Sequence, residues 1–215
     1  MRLRNIPGAD EIVANSTFCI QNPADYKGKW NEFFGNQNPV HLEIGMGKGQ
    51  FLMALAAQHP EINYIGIERY TSVLLRAVQK MEENPLSNVH FLCIDAEILP
   101  DLFEKGEVDR IYLNFSDPWP KDRHAKRRLP SSVYLGRYEQ VLANDGRIEF
   151  KTDNQDLFTF SMEEIEQAAA WKLDAATRDL HHDDILNEGN IMTEYEQKFS
   201  SMGNPICKLI ASLNK

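Results

Sequence analysis

The sequence predicts an α/β protein of the Rossmann-like type: a mostly parallel seven-stranded sheet with helices on both faces and an antiparallel hairpin at its C-terminal end. Three observations carry that prediction. From residue 39 onward, short strand-like runs alternate five times with amphipathic helical stretches, which is the pattern of parallel strands joined by crossover helices. The first strand runs directly into Gly45-Met46-Gly47-Lys48-Gly49, a glycine turn that lets backbone approach a ligand at a helix start. After the fifth helix come two further strand candidates with no helix expected between them.

In chain order, residues 1–38 lack sustained periodicity and are rich in Asn, Pro and Gly. They read as an irregular N-terminal arm with a short helix near residues 26–34, and residues 39–215 as the folded domain. Strands are expected at 40–44, 64–68, 89–94, 110–115 and 147–151, where β-branched, aromatic and leucine side chains cluster. Helices are expected at 50–58, 71–82, 99–105, 131–143 and 156–170. The turn tripeptide Asn144-Asp145-Gly146 ends the fourth helix. The closing strands fall at 171–179 and 206–213.

Composition narrows the function. The 215 residues carry 23 Lys+Arg against 32 Asp+Glu, a formal charge of −9, which argues against a protein that coats nucleic acid over its whole surface. The longest run free of polar residues and glycine is residues 51–57, far short of the roughly 18 residues a membrane span needs. The N-terminus has two arginines with no apolar stretch behind them, so it is not a signal peptide. Cys19, Cys93 and Cys207 are scattered, with no CxxC, as expected of reduced thiols in a cytoplasmic protein. The oligomeric state is not legible at this level.

In folds of this type ligands bind beyond the C-terminal strand ends, and those ends here are acidic. Glu43 lies two residues before Gly45, and the loop reads GxGxG (Gly45, Gly47, Gly49) rather than the dinucleotide pattern GxGxxG. A carboxylate there repels a pyrophosphate but attracts the ammonium and sulfonium of S-adenosylmethionine. Glu68, at the end of strand two, suits a pair of ribose hydroxyls. Asp95-Ala96, at the end of strand three, suits an adenine amino group. Taken singly, each is equally a solvated charge. Three at successive strand ends beside a glycine loop resemble the class I S-adenosylmethionine-dependent methyltransferases.

Strand four ends in Asn114-Phe115-Ser116-Asp117-Pro118-Trp119-Pro120-Lys121, stiffened by two prolines. Asp117 offers a carboxylate and is the catalytic candidate. Trp119 offers a flat face, either to stack on a base or to pack in the core. Then comes a run from Lys121 through Arg123, His124, Lys126 and Arg127 to Arg128, with five basic residues and one acidic in eight. A charge run is commonly a solvated face, but here it adjoins the acceptor side of the site, where arginine forks hold phosphates. Residues 151–190 hold ten acidic residues against three basic, so the cationic edge is local.

The run SDPWPKDRHAKRRL, with MRLRNIPGA, LEIGMGKGQF, GIER, FKTDN and TEYEQKF, resembles the bacterial tRNA (guanine-N7-)-methyltransferases, the TrmB family, along essentially the whole chain. The resemblance implies a class I methyltransferase fold and S-adenosylmethionine bound among Glu43, Glu68, Asp95 and Asp117. It also implies a tRNA substrate met by Lys121, Asp153 and the segment Thr193, Glu194, Tyr195 and Glu196, with a variable-loop guanine as acceptor. Spacing alone supports Asp153, which follows strand five, but does not select 193–196. His181-His182-Asp183-Asp184 has the residue types of a metal site, but adjacent side chains on extended chain diverge, so no metal is expected. Two alternatives stay open: a methyltransferase for another nucleic-acid or small-molecule nitrogen, and a non-catalytic RNA-binding subunit.

Overall fold

The computed structural model describes residues 6–214. Seven strands form one sheet: β1 (Val40–Ile44), β2 (Asn63–Ile67), β3 (Val89–Leu92), β4 (Val108–Asn114), β5 (Leu142–Thr152), β6 (Trp171–Thr177) and β7 (Cys207–Leu213). Their spatial order is β3-β2-β1-β4-β5-β7-β6. The first five pair in parallel, and β7 runs antiparallel between β5 and β6. Strand order reverses between β1 and β4, so a crevice opens beyond their C-terminal ends. Strands β1 and β2 are buried along their whole length, as parallel strands covered on both faces are, and they carry His41, Glu43 and Asn63 into the interior.

Two layers of apolar side chains cover the two faces. On one face β1, β4 and β5 pack through Leu42, Ile111, Leu113, Ile148 and Phe150 against Leu135, Tyr138, Leu157 and Phe158, which come from helices α6 (Ser132–Glu139) and α7 (Gln155–Gln167). On the other, Phe51 and Leu52 of α3 (Gln50–Gln58) join Leu74, Leu75, Val78 and Met81 of α4 (Thr71–Glu83) over Tyr64 and Phe91. Each such burial stabilises the fold by about 1.5–3 kcal/mol. The approach of α3 to β2 depends on Gly66, where a Cβ would collide with Met46 Sδ and come within 2.8 Å of Leu52 Cδ2. Asn154 starts α7 by accepting the Leu157 amide at 2.8 Å, a standard N-cap.

Four expectations need correction. Residues 1–38 are less irregular than their composition suggests. Helix α1 (Ala9–Asn15) packs on α4, with Ala9 and Val13 buried. Seven residues are too few for periodicity to show. The segment at 18–20 also bonds to Phe91 at the sheet edge (Phe91 N to Phe18 O, 2.8 Å; Ile20 N to Phe91 O, 3.0 Å), covering an otherwise open strand. The helix expected near 26–34 divides into a 3₁₀ turn (Pro23–Tyr26) and α2 (Trp30–Phe34), whose Trp30 stacks on Phe103 at 4.9 Å and donates to Leu102 O at 2.9 Å.

The fourth helix ends at Glu139, and Asn144-Asp145-Gly146 lies inside β5. The β4–β5 register jumps there, so the tripeptide makes an irregularity within the strand and not a helix stop. The closing strands are not a simple hairpin either. A 3₁₀ turn (Leu180–His182) and α8 (Glu194–Ser201) lie between β6 and β7. The remaining short elements are α5 (Leu99–Leu102), preceded by a 3₁₀ turn at Ala96–Ile98, and a 3₁₀ turn at Asp122–Arg127.

Candidate active site

The glycine loop is tied to the end of β2. Both Gly45 N and Met46 N donate to Ile67 O, at 2.8 and 3.1 Å. Gly45 and Gly47 have φ of 73° and 60°, and nothing lies within 4 Å of a Cβ built on either. Backbone conformation therefore demands glycine at these positions, and the space beside them is open. Gly49, also left-handed, begins α3.

The three strand-end carboxylates differ in setting. Glu43 is 2% exposed. Its Oε1 accepts from Asn114 Nδ2 at 2.9 Å, whereas Oε2 is buried with no hydrogen-bond partner among the described residues. Burial pushes the Glu43 carboxyl up to about 7, against the opposing pull of Asn114 and Lys151. Glu68 accepts from Gly47 N at 3.2 Å and Tyr70 N at 3.1 Å, linking β2 to the glycine loop. Burial raises its pKa despite those amides. Asp95 caps the Ala96–Ile98 turn through Glu97 N at 3.0 Å and faces Arg69 at 3.6 Å, with Ala96 buried beneath.

The loop after β4 is held in a strained form. Phe115 and Trp119, with φ of 52° and 43°, are the non-glycine residues of positive φ among the described residues. The left-handed region costs roughly 1–2 kcal/mol each. Phe115 N donates to Lys151 O at 2.8 Å. Arg128 clamps the rest: its Nε donates to Pro118 O at 3.0 Å and its Nη2 to Trp119 O at 3.1 Å, while its guanidinium lies 4.3 Å over Phe160. Asp117 is exposed. Trp119 is half-buried outside both apolar clusters, with the Arg127 guanidinium 5.1 Å over its ring and His124 edge-on at 5.7 Å. Lys121, Arg123, Lys126 and Arg127 are exposed. Arg128, expected among the phosphate contacts, braces the loop through the Pro118 and Trp119 carbonyls.

Helix α8 joins the two sides. Glu194 reaches Lys48 of the glycine loop at 3.0 Å and Lys80 of α4 at 3.8 Å. The Tyr195 ring lies parallel to Phe115 at 6.4 Å and to Phe199 at 6.0 Å. Thr193 and Glu196 point inward. Thr193 caps α8 through Glu196 N at 2.9 Å. Glu196 is fully buried and accepts from Lys151 Nζ (2.6 Å) and Asn190 Nδ2 (2.7 Å), with His181 Nε2 at 3.0 Å. Burial pushes its carboxyl up, but these partners together hold it below the ordinary range. Within the 193–196 segment, Glu194 and Tyr195 are therefore the residues with open surface. Asp153 lies beyond β5, 3.5 Å from Asn204 Nδ2. His181 is thus committed to Glu196, and His182 to Asp179.

Sequence reasoning missed Asn114 and Lys151. Their signal was present: a polar side chain and an ammonium at the buried C-terminal ends of adjacent parallel strands, where unpaired polar groups are costly.

Residues 37–209 match a family described as putative methyltransferase. The chain is 60% identical over 215 residues to a tRNA (guanine-N(7)-)-methyltransferase of Lachnoclostridium phytofermentans, covering all of both chains. It is 54% identical over 207 residues to the Bacillus subtilis protein of the same name, covering 96% of each. Among solved structures, the 16S rRNA methyltransferase KamB superposes with TM-score 0.63 at 17% identity, over 87% of this chain and 94% of that one. An antibiotic-related methyltransferase gives 0.62 at 20%, over 87% and 92%. Those two establish the shared fold, a class I methyltransferase sheet. On the strength of the full-length relatives, the chain belongs to the tRNA (guanine-N7-)-methyltransferase family.

Proposed function

We propose that this protein transfers the methyl group of S-adenosylmethionine to N7 of a guanine in the variable loop of tRNA. The observation that carries the reading is the pairing of two surfaces across one crevice. Glu43 and Glu68 stand at adjacent strand ends beside an open glycine loop, and a braced Asp117–Arg128 segment with exposed cations faces the same end of the sheet.

The residues fit the cosubstrate. The unpartnered Glu43 Oε2 is an acceptor waiting for a cationic donor, and the space beside Gly45 and Gly47 admits a ligand. Glu43 suits the ammonium and sulfonium end. Glu68 retains lone pairs for ribose hydroxyls, and Asp95 for the adenine amino group. S-adenosylmethionine supplies an electrophilic methyl on a sulfonium.

Guanine N7 carries a lone pair and no proton, so no general base is required. The protein's task is to hold N7 in line with the methyl and exclude water. Positive charge develops on the guanine as the methyl moves. Asp117, free of competing hydrogen bonds among the described residues, is placed to stabilise that charge and to accept from the guanine N1–H and amino edge. Trp119 offers a stacking face to the base, worth about 1–3 kcal/mol. Lys121, Arg123, His124, Lys126 and Arg127 present donors to the tRNA backbone, while Arg128 fixes the loop that carries Asp117 and Trp119. Glu194, Tyr195 and Asp153 border the acceptor side, set in place by Thr193 and Glu196.

Methyl incorporation from labelled S-adenosylmethionine tests the reading. Label enters unmodified tRNA and does not enter duplex DNA or small amines. Incorporation into DNA or an amine with none into tRNA overturns it.

A further inference from the structure

A second cationic site lies on the sheet face that backs the crevice. The sheet face formed by β4, β5 and β7 carries Arg110, Arg147, Glu149, Lys151 and Lys208, and residues 185–191 roof it to leave a cavity of about 290 Å³. Its lining has four Lys or Arg and two Glu side chains, on a chain of net charge −9. Asn114 and Lys151 line its end nearest the crevice, while Arg110 lies four residues before the end of β4, about 13 Å of strand from Asn114.

Two features of the register are unfavourable for stability alone. Arg110 stands directly opposite Arg147 across β4 and β5. Lys151 stands opposite Lys208 across β5 and β7. Like charges facing each other on neighbouring strands destabilise a sheet. Glu196 takes up the Lys151 charge at 2.6 Å, and Glu149 partly relieves the rest, with Arg147 at 2.8 Å, Arg110 at 3.3 Å and Lys208 at 3.4 Å. Three cations thus share one carboxylate, and Arg110 Nε is buried with no partner among the described residues. The field of Arg110 and Arg147 also reaches His41, whose pKa, lowered first by burial, they help to bring to about 3.

We infer that this cavity binds a phosphate-class oxyanion, held by Arg110, Arg147 and Lys208, with Glu149 as their resident counter-charge. Arginine forks match tetrahedral oxyanions bidentately. The volume sits at the small end of ligand cavities, which suits inorganic phosphate, a phosphomonoester or a single RNA backbone phosphate. The inference stands apart from the methyl-transfer reading and requires no turnover.

The test is calorimetric titration of inorganic phosphate into the full-length protein at low salt, with S-adenosylmethionine affinity as the check that the fold is intact. One saturable site is expected. Arg147→Gln, at a partly exposed side chain, weakens it about tenfold. Glu149→Gln removes the competing carboxylate and tightens it several-fold. Displacement of phosphate by tRNA assigns the oxyanion to RNA backbone, and undisturbed binding under saturating tRNA assigns it to a free phosphate compound; both support the site. No saturable binding up to about 10 mM phosphate, or equal affinity in wild type and Arg147→Gln, overturns it.

Discussion

Replacing Glu43 with Gln is expected to stabilise the ligand-free protein while weakening S-adenosylmethionine binding. The Glu43 carboxyl is 2% exposed, retains one donor in Asn114 and is raised to about 7. Its unfolded value is 4.5. Because the folded pKa is the higher one, the folded state is penalised as pH rises from about 5 through 7. Linkage puts that penalty at about 3 kcal/mol at pH 8 and about 1 kcal/mol at pH 5. Gln keeps the Asn114 bond through its own Oε1 and never ionises, so it relieves the penalty. For a chain of this length that corresponds to a Tm gain of roughly 6–12 °C at pH 8 and much less at pH 5.

A bound cation favours ionised Glu43, so wild-type affinity for S-adenosylmethionine rises with pH up to about 7 and levels off above it. The variant binds more weakly with a flat profile. Differential scanning calorimetry and titration calorimetry across pH 5–8 read both effects. A Gln variant no more stable at pH 8 than wild type, or one whose cosubstrate affinity and pH profile match wild type, refutes the reasoning.

Other perturbations have distinct signatures. Lys151→Met strands buried Glu196 and should cost about 3–5 kcal/mol, read as a Tm loss of roughly 10 °C; a change under about 1 kcal/mol would show that the pair is not a brace. Arg127→Ala should weaken tRNA binding and lower its salt dependence by about one phosphate contact, with cosubstrate affinity retained. Arg128→Ala releases the Pro118 and Trp119 carbonyls, so single-turnover rate should fall more than tRNA affinity does. Asp117→Asn should lower turnover by more than about tenfold, some 1.4 kcal/mol, and a near-normal single-turnover rate would remove Asp117 from the chemistry.

The parts of the fold legible in the sequence were those with long-range regularity. The short clusters of β-branched, aromatic and leucine residues in β1 and β2 and the amphipathic period of α4 each declare their element locally. The glycine spacing and the three strand-end carboxylates located the crevice, because topology sends every strand end to one edge. What was illegible depended on distant partners. Glu196 reads as one more acid in a polar helix, and only the fold brings Lys151, Asn190 and His181 around it. Arg128 looks identical to Arg127 in a basic run, yet one braces carbonyls and the other lies over an indole. Asn144-Asp145-Gly146 carries turn chemistry that pairing with β4 absorbs into β5.

The central claim is the atom methylated. Unmodified tRNA should be incubated with the protein and labelled S-adenosylmethionine, digested to nucleosides, and the label traced, with chain cleavage at the modified base locating it. The account predicts 7-methylguanosine in the variable loop. Label in any other nucleoside, or at a guanine outside that loop, would contradict it.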